Sequence, residues 1–304
     1  MSDASRGLLL FSPAGVLRTA LPLRRAAARL AGLGFTVEID AAATARMQRF
    51  AGDDDARLAA LHRVAAARPS VALATRGGYG LTRLLDRIDW KRIARSVAGG
   101  TRWVGMSDMT SLQLGLLAHA DGVTWAGPLA CDDFGRSAAE GGVDDVTASC
   151  FVEAMSGALE AVGFRTEAGF DGLEVRGTLW GGNLTIVNSL LATPHWPRIR
   201  GGILFFEDVN EHPYRVERNL LQLQQAGVLD AQKAIVLGAI SGFRTSPNDR
   251  GYSLATMLAR VRAATRTPVL TGLPFGHVPT KVTLPVGAKV RLVVDRRQAY
   301  LGWA

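Results

Sequence analysis

The chain has 304 residues, 48% of them apolar and 20% charged, with a formal net charge of +8, a composition that suits a packed globular protein and excludes a largely disordered one. Its longest apolar runs, SVALAT at 70–75 and AIVLGAISGF at 234–243, fall well short of the roughly 20 residues that a membrane-spanning helix needs. The two cysteines, Cys131 and Cys150, form no CxxC and have no histidine at ligand spacing, which argues against a disulfide framework and against a zinc site.

At the N-terminus, Asp3 precedes a short apolar stretch that stops at Ser12-Pro13. No long secretory core is expected there, and the cytoplasm is the expected location. The positive charge is carried mainly by arginines such as Arg18, Arg24, Arg25 and Arg29, interleaved with alanine and leucine. That pattern reads as a solvated helix face. No nucleic-acid-binding motif accompanies it, so neither nucleic acid nor membrane is expected as a partner, whereas an anionic small substrate is compatible with the excess cation.

In chain order, the apolar runs 7–11, 35–39, 70–75, 102–106 and 123–127 read as strands, and 17–33, 53–67, 81–96 and 108–120 between them as helices. Strand and helix alternating in this way require crossover connections, hence a doubly wound parallel sheet. A further helix is expected over 146–161, and the glycine-rich, polar segment that follows reads as a linker. Beyond it, strands are expected at EVRGTLWGG, GILFFED, AIVLGAI, PVLTGL, KVRLVVD and AYLGW, with helices over 214–227 and 254–265. The expected organisation is α/β throughout. An N-terminal domain (1–162) holds the parallel sheet, residues 163–173 connect, and a second mixed α/β domain (174–304) follows. No internal repeat or low-complexity tract is present.

Ligands of such sheets bind beyond the carboxyl ends of the strands, which directs attention to two loops. In TRGGYG (75–80), Gly77, Gly78 and Gly80 permit positive φ and close backbone approach. The spacing matches neither phosphate-binding glycine motif, so an exposed nest of amides and a purely structural turn both remain open. Arg76 is suited to gripping a carboxylate with its planar fork. In GMSDMT (105–110), Ser107 stands where a strand turns into a helix. It is either the helix N-cap or a nucleophile on a sharp elbow, with the helix N-terminus aimed at a developing oxyanion. Met109 stands where the usual elbow has its second glycine.

A nucleophile needs a base and an acid. Of five histidines, His62 and His119 fall within helical patterns and His195 within the rigid TPHWP. His277 follows a strand and sits in a loop between Gly276 and Pro279, which makes it the preferred base. Glu207, last on an apolar strand and partly desolvated, could orient the imidazole, whereas Glu211 and Glu217 read as solvated or capping groups.

Five ordered segments, TRGGYGLTRLLDRIDW, VGMSDMTSLQLGLL, WGGNLTIVNSLLATP, LFFEDVNEHPYRVER and GLPFGHVPTKVTLPVG, together resemble the LD-carboxypeptidases, serine peptidases of cell-wall muropeptides, over nearly the whole chain. The resemblance implies a swivelling, barrel-like second domain and a Ser107, Glu207 and His277 triad. It further implies release of a terminal D-alanine from a muropeptide tetrapeptide, after meso-diaminopimelate or lysine, during cytoplasmic wall recycling by a homodimer with no metal or other cofactor. Gly78 and Asp108 are the expected oxyanion donors through their amides, and Arg76 and Asn183 the expected substrate contacts. Met106 and Met109 depart from the family's usual residues around the serine. Two alternatives stand beside this reading: a peptidase similar to the microcin-immunity enzymes, cleaving a peptidyl-nucleotide amide, and a non-catalytic muropeptide sensor.

Overall fold

The computed structural model describes residues 6–303; Asp3 lies outside them. The first half runs β1 (Arg6–Phe11), α1 (Leu21–Gly32), β2 (Phe35–Ile39), α2 (Asp54–Ala67), β3 (Val71–Ala74), α3 (Trp90–Ala98), β4 (Arg102–Gly105), α4 (Met109–Ala120), β5 (Thr124–Ala126) and α5 (Asp145–Ser156). These five strands are parallel, in the order β5-β4-β3-β1-β2. Because neighbouring strand residues point to opposite faces, β1 feeds both layers. Leu8 and Leu10 cluster with Leu23, Leu30 and Phe151, while Leu9 and Phe11 cluster with Leu61, Val64 and Trp103. Helices cover both faces, as a buried parallel sheet requires.

The second half runs β6 (Ala161–Arg165), β7 (Glu174–Asn183), α6 (Leu184–Ser189), β8 (Ile203–Val209), α7 (Pro213–Gln225), β9 (Ala234–Ser241), α8 (Leu254–Ala264), β10 (Val269–Thr271), β11 (Leu284–Val286), β12 (Lys289–Asp295) and β13 (Gln298–Gly302). Its sheet has the order β10-β9-β8-β7-β12-β13-β6. The long strand β7 makes this sheet mixed. Residues 174–178 pair antiparallel with β12, and residues 179–183 pair parallel with β8. Glu167, just past β6, pairs with Arg262 of α8 and accepts a hydrogen bond from Thr271 of β10, so the two edges are drawn toward each other.

The structure departs from the expected elements at several places, one of them the short helix α6, which was not expected. The single helix expected over 81–96 is two 3₁₀ turns followed by α3, because Asp89 caps a new start by accepting from the Arg92 amide at 2.9 Å. The helix expected to reach 161 stops when Gly157 turns left-handed, at φ 80°, and the following residues form β6, whose Val162 and Phe164 are buried. Finally, β11 leaves the second sheet and adds antiparallel to β5 in the first. As an edge strand it tolerates Pro285.

The two sheets meet where α4 crosses the end of β7. The Asn183 amide donates to Thr110 Oγ1 at 3.0 Å. Gly182, at φ 130°, lets the strand come this close, since a Cβ there would lie 2.5 Å from Thr110 Oγ1. Gly182→Ala therefore combines backbone strain with overpacking, each about 1–3 kcal/mol. We expect thermal unfolding to register a loss of several degrees.

Candidate active site

Ser107 follows β4 at φ 62°, a left-handed conformation that strains a residue with a side chain. The Ser107 side chain is not the cap of α4, whose N-cap position is Asp108. The Ser107 carbonyl accepts from the Thr110 amide at 2.9 Å, and α4 begins at Met109 with no side-chain cap. The helix is held under the turn by Gln113, which donates to the carbonyls of Gly105 and Trp125 at 3.0 and 2.9 Å. Met106 and Met109 are both buried and serve as packing for the turn. The glycine loop lies directly against the serine, because a Cβ on Gly77 would fall 2.7 Å from Ser107 Oγ.

Asp108 ties that loop to the elbow from beneath. Its buried carboxylate accepts from the Leu81 amide at 2.7 Å, and burial, only partly offset by the Leu81 amide and by Arg57, pushes its pKa up to about 7. The amides of Gly78 and Asp108 themselves donate to no other group among the described residues. Asp108 follows the serine directly, and Gly78 follows Gly77, the loop residue that packs on the serine side chain.

His277 Nδ1 lies 2.7 Å from Glu207 Oε2, with the glutamate side chain fully buried and the imidazole one quarter exposed. Burial disfavours the imidazolium, but the Glu207 hydrogen bond and charge, with Asp132 and Asp208, outweigh it and raise the His277 pKa above its ordinary value. His277 and Met106, the residue before the serine, line one cavity of about 310 Å³ with Asp132, Arg136 and Lys281. A second cavity of about 300 Å³ shares Asp132 and Arg136 and is walled by Arg18, Arg25 and Arg76. The cleft thus leads from the histidine to a cluster of arginines. Arg76 is anchored by donating to the Val16 carbonyl at 2.9 Å.

Asn183 occupies a different place from the one expected of a substrate contact. Its Nδ2 donates to Glu207 Oε1 at 3.1 Å and Asp208 Oδ1 at 3.0 Å, and its Oδ1 accepts from the Ile186 amide. The amide is fully used in holding two buried carboxylates apart. Burial raises the Asp208 pKa even against its bonds to Thr185 and Asn183. Three features escaped the sequence reading: the Thr110 contact, the buried Lys281–Asp133 ion pair and Asp132. The last two acids lie on a π-type turn, Ala130–Phe134, and the legible signal was an acidic pair just past the end of a strand. Among the histidines, His119 stacks on Trp90 with centroids 5.0 Å apart and lies 2.9 Å from His195 Nδ1, a packing role.

With this geometry in view, comparison with known proteins is decisive for class. The LD-carboxypeptidase N-terminal domain matches residues 9–127 and the LD-carboxypeptidase C-terminal domain residues 176–292. The chain belongs to the LD-carboxypeptidase family. It is a serine-type carboxypeptidase. The murein tetrapeptide carboxypeptidase of Pseudomonas aeruginosa is 30% identical over 263 residues, covering 83% of this chain and 82% of that protein. The crystal structure of muramoyltetrapeptide carboxypeptidase from Oxalobacter formigenes superposes with a TM-score of 0.89 at 39% identity, covering 98% of each chain. A microcin C7 self-immunity protein in complex with aspartyl sulfamoyl adenosine superposes at 0.86 with 22% identity, over 99% of this chain and 96% of that one, which shows the shared fold. Among the described residues, no helix is long and apolar enough to cross a membrane.

Asn183→Asp tests the carboxylate arrangement. A third acid between Glu207 and Asp208 must stay protonated to donate, so its folded pKa lies above its unfolded one. The cost is therefore present at alkaline pH and relieved as pH falls through the folded value. Calorimetry should show a larger drop in Tm at pH 8 than at pH 5.

Proposed function

We propose that the chain removes the terminal D-alanine from muropeptide tetrapeptides, cutting the bond that follows the L-centre of meso-diaminopimelate or lysine, with Ser107 as nucleophile, His277 as base and Glu207 as its orienting acid. The observation that carries this reading is the 2.7 Å His277–Glu207 hydrogen bond at a cavity also lined by Met106, the residue before the strained serine, in a chain 39% identical to a muramoyltetrapeptide carboxypeptidase. Ser107 Oγ attacks the carbonyl carbon while His277 Nε2 takes its proton. The Nδ1–H is held by Glu207, which stabilises the imidazolium that forms. The resulting oxyanion is received by the Gly78 and Asp108 amides, each such donor being worth about 3–4 kcal/mol in the transition state. His277 then gives its proton to the departing D-alanine amine, and water releases the acyl group by the same steps in reverse.

In this reading Arg76 meets a substrate carboxylate, and Asn183 is a positioning residue for Glu207, without contact to the substrate. The reaction needs no metal or cofactor, and the enzyme works as a cytoplasmic homodimer in wall recycling. The peptidyl-nucleotide alternative has a weaker likeness behind it, 25% identity over 254 residues to a microcin C7 self-immunity protein of Escherichia coli, beside the common fold. A non-catalytic sensor is separated by turnover: incubation with L-Ala-γ-D-Glu-meso-diaminopimelate-D-Ala should release D-alanine, and bound but uncleaved peptide would sink the enzymatic reading.

Ser107→Ala and His277→Ala should each lower kcat by several orders of magnitude, and the double variant should be little worse than either, because the groups act as a unit. A folded Ser107→Ala protein with near-parental D-alanine release would end the nucleophile assignment.

The base must be neutral to accept a proton. Since the His277 pKa is raised, kcat/KM should rise with pH through an inflection above the ordinary histidine value of about 6.5. Glu207→Gln should move that inflection to lower pH as well as reduce kcat. Asp132→Asn should move it the same way by less.

A further inference from the structure

A wide cavity lies away from the cleft. About 960 Å³ in volume, it is lined by Arg176, Arg200, Lys233, Lys289, Arg291 and Trp303, with Glu160 on its wall. It sits where β7 begins, whereas the cleft lies at Asn183, seven residues further on, roughly 20 Å at the rise of an extended strand. Glu174, paired with Arg291 at 2.8 Å, is the other neighbouring carboxylate. Five cations against two carboxylates leave a surplus of three positive charges.

How those cations are held matters more than their number. Lys233 Nζ donates to the Arg176 carbonyl at 2.7 Å, and Lys289 Nζ to Thr178 Oγ1 at 2.8 Å. Both acceptors are neutral, so each ammonium is fixed in position with its charge uncompensated. Arg176 and Arg200 form no ion pair with any described residue. Holding like charges together around one hollow costs Coulomb energy that a bound anion recovers. Guanidinium forks and ammonium groups together suit phosphoryl oxygens, the former by bidentate contacts and the latter as point charges. Trp303, half-buried and packed edgewise on Trp125 with centroids 6.4 Å apart, gives the hollow one flat apolar wall.

We infer that this cavity is a second ligand site, separate from the catalytic cleft, that takes a diphosphate group. The charge surplus matches a diphosphate near neutral pH, and the volume admits a nucleotide-sized molecule. The diphosphate could belong to a nucleoside or stand alone, and Trp303 distinguishes them, since only the nucleoside brings a ring to lay against the indole.

Isothermal titration of the full chain with inorganic pyrophosphate should show one site whose affinity falls as salt rises. Arg176→Gln combined with Arg200→Gln, both exposed and unpaired, should weaken binding at least tenfold while leaving D-alanine release unchanged. Titration with ADP should give tighter binding than pyrophosphate if a nucleoside is recognised, with a fluorescence change lost in Trp303→Phe; equal affinity assigns the site to the diphosphate alone. The inference is overturned if pyrophosphate gives no heat, or if the double variant binds as the parent does. It is also overturned if pyrophosphate competes with the peptide substrate, which would locate the anion in the cleft. Loss of self-association in the double variant, with no pyrophosphate binding by the parent, would make this face an interface between copies and overturn the ligand site equally.

Discussion

One hydrogen bond joins the chemistry of this enzyme. The Asn183 amide meets Thr110 Oγ1, so the last residue of β7 is fastened to the first turn of the helix that follows Ser107. Asn183 in turn fastens Glu207 with its side chain, and Glu207 holds His277. Neither sheet contains all three residues of the proposed triad. A serine from one and an acid and histidine from the other are brought into a fixed relation through a threonine hydroxyl, and glycine at 182 is what lets the strand approach it. Small errors of position in such a constellation are costly, because reacting groups must be held close to their productive geometry.

The electrostatics follow from the same junction. Two adjacent buried carboxylates, Glu207 and Asp208, repel one another, and the single Asn183 side chain donates to both. This leaves Glu207 free to spend its other oxygen on the imidazole. On the opposite side of the cleft the charges are reversed, with Arg18, Arg25, Arg76 and Arg136 along the wall and Asp132 between them and His277. The basic stripe in the sequence thus contributes partly to the cleft and partly to surface. Arg24 and Arg29 lie on α1, where Arg29 donates to the carbonyls of Phe134 and Arg136 and so braces the π-type turn.

Much of this was legible in the residues because the signals are local. Apolar runs with helical spacing between them specify crossovers, and loops after strand ends are where side chains can converge without filling the core. Hence Ser107, Glu207 and His277 could be singled out individually, although nothing in spacing alone says that positions 207 and 277 share a hydrogen bond. What stayed hidden depends on partners distant in sequence. β11 has three residues and a proline, too little pattern to reveal its sheet. β6 looked like linker because its alternation lasts five residues and acquires meaning only beside β13. Asn183 was read as a ligand contact because an asparagine at a strand end offers free donors, and only the positions of Glu207 and Asp208 show them occupied.

The return of β11 to the first sheet bears on how the protein is made. Residues 6–126 contain every parallel strand of that sheet, yet its edge beside β5 stays open until residues 284–286 arrive. A ribosome must therefore add everything between Ala126 and Leu284 before that edge is capped. An uncovered edge is a template for pairing with other chains, and contacts spanning so great a sequence separation are slow to form. During synthesis the nascent N-terminal half carries an unprotected strand for most of its elongation, and truncated products ending before β11 should be the aggregation-prone species.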